Sequence, residues 1–457
     1  MQLVSDLLSQ HPDDLPYLIA DHVVTHGELR DAVFQETALF ASAGVREGST
    51  VALQVPPSFT QIEVLLALWQ LGAQVMLVDH RLKPAEVEQL RALCQPQYVV
   101  RAGASGWSRL NFRPRYELVT EKRADGVPAS TAHRLIQFSS GSTGRPKVVG
   151  RTEESILLEI RRFNQLTGMP ALGERVLLLS STAHSFGLIA GLLHSLFAGV
   201  GVVFAPRVAA ADILRAAAEH EVSAIFGVPF HYELLATAEN PPVLPSLRCA
   251  VSGGELMPPA VAERFHEVYG VRVGESYGTT ETGVIAMDVS GRQRPSVGPA
   301  TPGVLLRISD GEVEVRMPAS PYLTEDGQDR YVDGWLRTRD RAELTVEGAV
   351  RLLGRGDSLV VIGGLKVDLT EIEDVLTRHG SVAEAVLVHG DVIEAYVSTV
   401  DETLVAEELV RWCSAHLADY KLPKLVRVLP TLPRTPNGKL IRDRSALRAA
   451  ALVSGSA

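Results

Sequence analysis

The run Phe138-Ser139-Ser140-Gly141-Ser142-Thr143-Gly144-Arg145-Pro146-Lys147 concentrates more potential chemistry than any other part of the chain. Four hydroxyls and two glycines fill the six positions from Ser139 to Gly144, and Arg145 and Lys147 add positive charge beside them. Glycine lets a backbone approach a ligand closely, and free N–H groups with hydroxyls can ring an anion. That is the composition of a polyphosphate cradle. It is not a Walker A loop, which ends in Gly-Lys-Ser/Thr, because Arg145-Pro146 interrupts the pattern. A flexible linker would share the small residues, but linkers seldom close on Arg-Pro-Lys. A second run, Gly274-Glu275-Ser276-Tyr277-Gly278-Thr279-Thr280-Glu281-Thr282-Gly283, offers a ring to stack on a base, hydroxyls for a phosphate and a carboxylate for a hard cation. Glu281 is the strongest Mg2+ candidate, since that ion needs only one or two carboxylates alongside phosphate oxygens.

Other segments carry weaker signals singly. Cys249 to Gly253 reads as a strand entering a Gly253-Gly254-Glu255 turn, which would let a flat ring or acyl chain lie against backbone or would simply be a tight turn. Ser180 to Gly187 follows a strand and places His184 where open α/β sheets bind ligands. Asp340 closes an extended segment and could accept two ribose hydroxyls, and the Pro436-Asn437-Gly438 turn could present Lys439. His22, His26 and His80 have no second ligand at metal spacing and read as structural or surface residues.

In this order the segments resemble the signature motifs of the adenylate-forming superfamily, which comprises acyl-CoA synthetases, peptide-synthetase adenylation domains and luciferases. The resemblance spans about residues 135–445. It implies that ATP is held by Ser139, Ser140, Gly141, Ser142, Thr143, Gly144 and Lys147, with Gly253, Gly254, Glu255, Ser276, Tyr277 and Gly278 around the adenine. By the same resemblance Thr280 meets the α-phosphate, Glu281 the metal, Asp340 and Arg355 the ribose, and Lys439 the reacting groups. The acid pocket would draw on His184, Ser185, Phe230, Gly253 and Tyr277, and Asp357 would be the hinge between two domains. Adenylation domains for α-amino acids carry Asp where Ser185 stands. A hydroxyl cannot balance a buried ammonium, so the resemblance implies an acid without an α-amino group. Gly227, Tyr232 and Phe230 permit an aromatic or medium aliphatic acid, with the aromatic or small acid favoured. The chain departs from the family at Val148-Val149-Gly150-Arg151-Thr152-Glu153, where Gly-Val and a Thr-His pair are usual, at Arg339, where Gly is usual, and at Leu369, where Pro is usual.

The elements that must position these residues follow from periodicity. Thr25 with Glu28 is a capping box opening a helix to about Ala43. Strands at Val51–Val55, Gln74–Val78 and Tyr98–Val100 alternate with helices at Gln61–Leu71 and Pro84–Leu93, the pattern of a parallel sheet covered on both faces. The cradle is expected to join a strand ending at Phe138 to a helix from Glu153. The last eighty or so residues read strand, strand, helix, strand. With the resemblance, the expected fold is α/β: a large N-terminal domain of parallel-rich sheets covered by helices, residues 1–354, joined by a hinge to a small α+β domain, residues 355–457, that carries Lys439.

Bulk properties agree with that assignment. The 457 residues are 46% apolar and 21% charged, as in ordinary globular proteins. A net charge of −10 gives no general attraction to nucleic acid or anionic membrane. Cys94, Cys249 and Cys413 are far apart and form no CxxC pair, which points to a reducing cytoplasm. The N-terminus lacks a secretory pattern, and Leu188 to Ala205 falls short of a bilayer span, so a buried helix leading into a strand is expected there. The expected activity is ATP- and Mg2+-dependent formation of an acyl-adenylate with transfer to coenzyme A. A carrier-protein phosphopantetheine thiol is the alternative acceptor. A nucleotide-binding regulator without catalysis is the alternative from another class, disfavoured by the joint presence of Lys439, Glu281 and Asp340.

Overall fold

The computed structural model describes residues 2–103, 112–139, 146–355, 359–399, 401, 403–433 and 440–454. The chain forms two compact units, one of residues 1–80, 95–138 and 148–356, the other of residues 81–94, 139–147 and 357–457.

Two large sheets dominate the first unit. One has six strands in the order Leu118–Lys122, Tyr98–Ala102, Thr50–Gln54, Gln74–Leu77, His133–Ser139, Lys147–Thr152. Thr50–Gln54 runs parallel to both neighbours, and Leu118–Lys122 is an antiparallel edge. The other has eight strands in the order Gly283–Asp288, Val273–Thr279, Cys249–Gly253, Ala224–Gly227, Arg175–Leu178, Gly201–Val203, Pro16–Ile19, Val23–Thr25, parallel except at its two ends. Near-continuous apolar strands such as Val51–Leu53 and Ala224–Phe226 are buried because helices cover both faces. Helices Phe59–Gln70 and Glu153–Gln165 share one apolar core with the inner faces of both sheets. Helices Ala210–Glu219, Pro229–Ala236 and Pro259–Tyr269 cover the opposite face of the eight-stranded sheet. The capping box expected at Thr25 is formed, and its helix runs His26–Ser42.

The segment Phe186–Leu193 is π-helical and continues into the helix His194–Ala198 and the strand Gly201–Val203, the buried helix-to-strand passage expected from its hydropathy. No helix among the described residues is long and apolar enough to cross a membrane. One expectation is corrected. The serine- and glycine-rich loop joins two strands, because Lys147–Thr152 intervenes before the helix that starts at Glu153. Val148 and Val149 favour extended backbone, and Thr152 caps the helix by accepting from the Ser155 N–H. A third, antiparallel sheet places Glu312–Arg316 and Val350–Arg355 on either side of Trp335–Leu344.

The second unit contains the hairpin Leu359–Ile362 with Leu365–Asp368, turned by Gly363 and Gly364 at positive φ, and a sheet of Val382–His389, Ile393–Thr399 and Leu425–Leu429. Helices Leu369–Thr377 and Ala406–His416 supply its core. Lys421 Nζ, itself buried, donates to Glu86 Oε1 at 2.8 Å and Glu371 Oε1 at 2.7 Å, which holds the helix Pro84–Cys94 within this unit. A helix the periodicity did not register, Arg444–Ser454, packs on the sheet through Leu447 and Ala451.

That helix is pinned electrostatically. Arg444 and Arg448 both bond to the buried Glu394 carboxylate, which also accepts the Tyr396 hydroxyl at 2.8 Å. The Arg448 hydrogen bond, then those of Tyr396 and Arg444, hold the Glu394 pKa down at about 2 against the opposing effect of burial. A depressed carboxyl pKa contributes stability that is complete above the unfolded value and is lost as pH falls through the folded one. Urea denaturation monitored at successive pH values should show stability falling from the ordinary value of 4.5 down to about 2. Glu394→Gln should flatten that acid arm, and an unchanged arm would contradict the assignment.

Candidate active site

The strand Val273–Thr279 carries most of the second sequence motif and pairs in parallel with Cys249–Gly253, setting Gly253 opposite Ser276. It returns through a tight turn into Gly283–Asp288, with the register shifting between Tyr277 and Gly278. A side chain at Gly278 would collide with the Gly283 carbonyl, so only glycine lets the two backbones approach this closely. Thr279 Oγ1 and Thr282 Oγ1 stand 3.0 Å apart, and the Thr282 N–H donates to Thr279 Oγ1, which closes the turn. The turn presents Thr280 half-buried and Glu281 buried. Tyr322 donates its hydroxyl to Glu281 Oε1 at 3.2 Å. Burial and the Glu281 carboxylate push the Tyr322 pKa well above that of an ordinary phenol, so it remains a donor.

Tyr277 reaches from this strand to the third sheet. Its hydroxyl donates to Asp340 Oδ2 at 2.8 Å and lies 3.4 Å from Thr338 Oγ1, and all three residues are buried. Tyr277 belongs to an apolar cluster with Ile285, Ala286, Val297, Val313, Val315, Ala342 and Val350. Asp340 is not at the end of its extended segment, as expected from sequence, but within the ten-residue strand Trp335–Leu344. Alternation along that strand turns Leu336, Thr338, Asp340 and Ala342 to the buried side. The irregularity is Arg339, whose φ is +67°, and whose N–H donates to Glu312 Oε1 at 2.6 Å. Arg355 ends the strand Val350–Arg355 with its Cα opposite that of Asp340.

A second group of expected residues gathers at the ends of parallel strands. His184 Nε2 lies 3.3 Å from Asp79 Oδ2, and His80 Nδ1 lies 3.6 Å from Asp79 Oδ1. Ser185 donates to Gln137 Oε1 at 2.7 Å, and Gln137 Nε2 donates to the Ala183 carbonyl at 3.2 Å. Phe186 covers Gly253, where an added Cβ would stand 2.8 Å from its ring, and Phe186 stacks on Phe226. Gly254 turns away at φ +89°, and Glu255 is half-buried beside it. Phe230 is 50% exposed at the start of the helix Pro229–Ala236, whereas Tyr232 is wholly buried and donates to the Ile225 and Val251 carbonyls. Tyr232 is therefore a core residue and not a wall of a pocket. Ser139 and Lys147 are buried at the ends of their strands. Ser140, Gly141, Ser142, Thr143, Gly144, Asp357 and Lys439 lie outside the described residues.

Sequence reasoning overlooked Asp79, Gln137 and Tyr322. Asp79 follows a strand end, the same signal that singled out His184, and could have been found that way. Tyr322 lies in an irregular segment with no periodic signal.

Residues 6–321 match the family of AMP-binding enzymes, and residues 371–439 match the AMP-binding enzyme C-terminal domain. The chain belongs to the AMP-binding enzyme family. Within that family it is 27% identical to the p-hydroxybenzoic acid–AMP ligase FadD22 of Mycobacterium tuberculosis, an alignment covering 94% of this chain but 66% of that protein. It is 29% identical to a 4-chlorobenzoate–CoA ligase of an Arthrobacter species, covering 92% and 89% of the two chains. The solved o-succinylbenzoate CoA synthetase of Bacillus subtilis superposes with a TM-score of 0.84 at 26% identity, covering 98% of both chains.

Arg339 departs from the family's usual glycine at a backbone geometry that glycine suits. Left-handed φ costs a non-glycine residue roughly 1–2 kcal/mol, while glycine loses about 0.5–1 kcal/mol more in chain entropy on folding. The Arg339–Asp329 contact is solvated and contributes little. Arg339→Gly should therefore raise stability by up to about 1 kcal/mol in urea denaturation, and a lowered midpoint would contradict the strain argument.

Proposed function

We propose that the protein activates a carboxylic acid lacking an α-amino group by forming an acyl-adenylate from ATP, and then passes the acyl group to coenzyme A. The observation that carries this reading is the hydrogen bond to the buried Asp340 from Tyr277, an aromatic residue on the strand that leads into the Thr280-Glu281 turn. A carboxylate does not acylate a thiol at neutral pH, because its oxygen is a poor leaving group. Attack of one carboxylate oxygen on the α-phosphorus of ATP breaks the bond to pyrophosphate and leaves the acyl group on AMP. Attack by the thiolate then releases AMP. The first step needs in-line positioning and neutralisation of charge on phosphate oxygens more than covalent help from the protein.

In this reading Tyr277 stacks on the adenine and Asp340, with Arg355, takes the ribose hydroxyls. Ser276, Gly278, Gly253, Gly254 and Glu255 border the base. Ser139 to Gly144 with Lys147 cradle the phosphates, Thr280 meets the α-phosphate, and Lys439 steadies the reacting oxygens. Glu281 suits Mg2+: it is a single buried carboxylate with one oxygen fixed by Tyr322, and no group of three ligating side chains occurs among the described residues. The ion would neutralise phosphate charge there. His184, Ser185, Phe230 and Gly253 border the acid, and Ser185, tied to Gln137, offers no charge for an ammonium group.

Relatives named for the acid–AMP ligase and acid–CoA ligase reactions on hydroxybenzoate and chlorobenzoate favour an aromatic acid. The first of these names no coenzyme A product, so a carrier-protein thiol is the second acceptor to test. Pyrophosphate release should be measured over a panel of aryl, short aliphatic and α-amino acids, with coenzyme A and a phosphopantetheinylated carrier supplied separately. Release with aryl or small acids and none with α-amino acids is expected. Lys439→Ala should abolish release, and Glu281→Gln should lower it by about 10²–10³, the usual effect of removing one preorganised electrostatic contact. Silence across the panel, or undiminished release by Lys439→Ala, would contradict the reading.

A further inference from the structure

Arg151 lies in the segment Val148 to Glu153, where the chain departs from the family's usual pattern, and the structure shows what it contacts. Arg151, in the strand Lys147–Thr152, and Glu159, in the helix Glu153–Gln165, form an ion pair with Nη2 to Oε2 at 2.8 Å. Both residues are buried, at 4% and 2% exposure. Arg151 is fixed further by Nε donating to Ser155 Oγ and Nη2 to the Ser155 carbonyl, both at 3.1 Å. The other carboxylate oxygen, Glu159 Oε1, accepts the backbone N–H of Val284 at 2.9 Å. Val284 is the second residue of the strand that leaves the Thr280-Glu281-Thr282 turn. Gly283 precedes it at φ +69°, and a side chain there would collide with the Glu159 carboxylate.

A buried ion pair is an expensive way to fill space, and an apolar pair of similar volume often packs as well. Its persistence here has a specific correlate. One carboxylate oxygen is committed to a guanidinium that keeps it in place, and the other to a backbone N–H at the exit of the turn. We propose that Glu159, held by Arg151, is a positioning residue for Thr280 and Glu281. It fixes the turn against the strand that leaves the Ser139–Lys147 loop, and thereby sets where the phosphate-facing groups stand. This rests on the reading that the turn faces ATP.

Two neutral double variants separate positioning from packing. Arg151→Met with Glu159→Gln keeps an acceptor for the Val284 N–H, and Arg151→Met with Glu159→Leu removes it. We expect the glutamine form, which keeps the acceptor but loses the Arg151 clamp, to raise the KM for MgATP much less than the leucine form does. The leucine form should raise it about tenfold, the equivalent of one hydrogen-bonded contact, with the KM for the acid changed by less than about twofold. Amide hydrogen exchange, which needs no catalysis, should be about tenfold faster over residues 279–286 in the leucine form alone. Should neither double variant fold, Gly283→Ala, which displaces the same carboxylate, should raise the MgATP constant and speed exchange in the same segment. Equal MgATP constants and equal exchange in the two double variants, or in Gly283→Ala and wild type, would overturn the proposal. A wild-type protein that releases no pyrophosphate would instead defeat the functional reading.

Discussion

The hydrogen bond from the Tyr277 hydroxyl to Asp340 is the point on which the rest of the site depends. It joins a strand of the eight-stranded sheet to a strand of the small antiparallel sheet, and the apolar cluster around it draws on both. A buried carboxylate is costly unless it is partnered, so the two sheets cannot shift relative to each other without exposing that cost. The alternation that turns Asp340 inward, the left-handed Arg339 and the glycine-narrowed hairpin at Gly278 all serve that one approach.

Buried carboxylates in the first unit are held by arginines, backbone N–H groups and tyrosine hydroxyls. Glu159 and Glu275 pair with arginines and also accept backbone N–H groups, from Val284 and Met257, so each fixes the course of a turn next to the site. Burial and backbone bonding act on Glu275 in opposite directions, and burial prevails, raising its pKa. Glu281 and Asp340 each accept a tyrosine hydroxyl, from Tyr322 and Tyr277. Asp79 stands between two histidines at a strand end and orients His184.

Much of this was legible in the sequence. Period-two and period-3.6 patterns located the four inner strands of the six-stranded sheet to within a few residues, because those strands bury apolar side chains, but not its edge strands Leu118–Lys122 and Lys147–Thr152. The Tyr277-to-Glu281 run stood out because ring, hydroxyl and carboxylate fall close together in sequence, and the structure places them on one strand and its turn. What stayed hidden depends on pairing across sequence distance. Tyr322 meets Glu281 from 41 residues away, and Glu159 meets Val284 from 125. The strand Lys147–Thr152 was missed because a six-residue run containing a glycine and an arginine has no clear alternation. The terminal helix was left unread although Leu447 and Ala451 recur at helical spacing on its apolar side; only its anchor, Glu394, fifty residues earlier, was beyond the reach of sequence. Arg339 shows the opposite failure: the sequence announced the departure from glycine, but only the backbone reveals the positive φ that makes it matter.

The central claim of the proposed function is geometric: the Tyr277–Asp340 pair would form the floor of the nucleotide site. A crystal structure with AMP bound tests it most directly. The adenine should lie on the Tyr277 ring and the ribose hydroxyls within about 3.2 Å of the Asp340 carboxylate, the range of a real hydrogen bond. A nucleotide seated away from both residues, with the Tyr277–Asp340 bond undisturbed, would contradict the account.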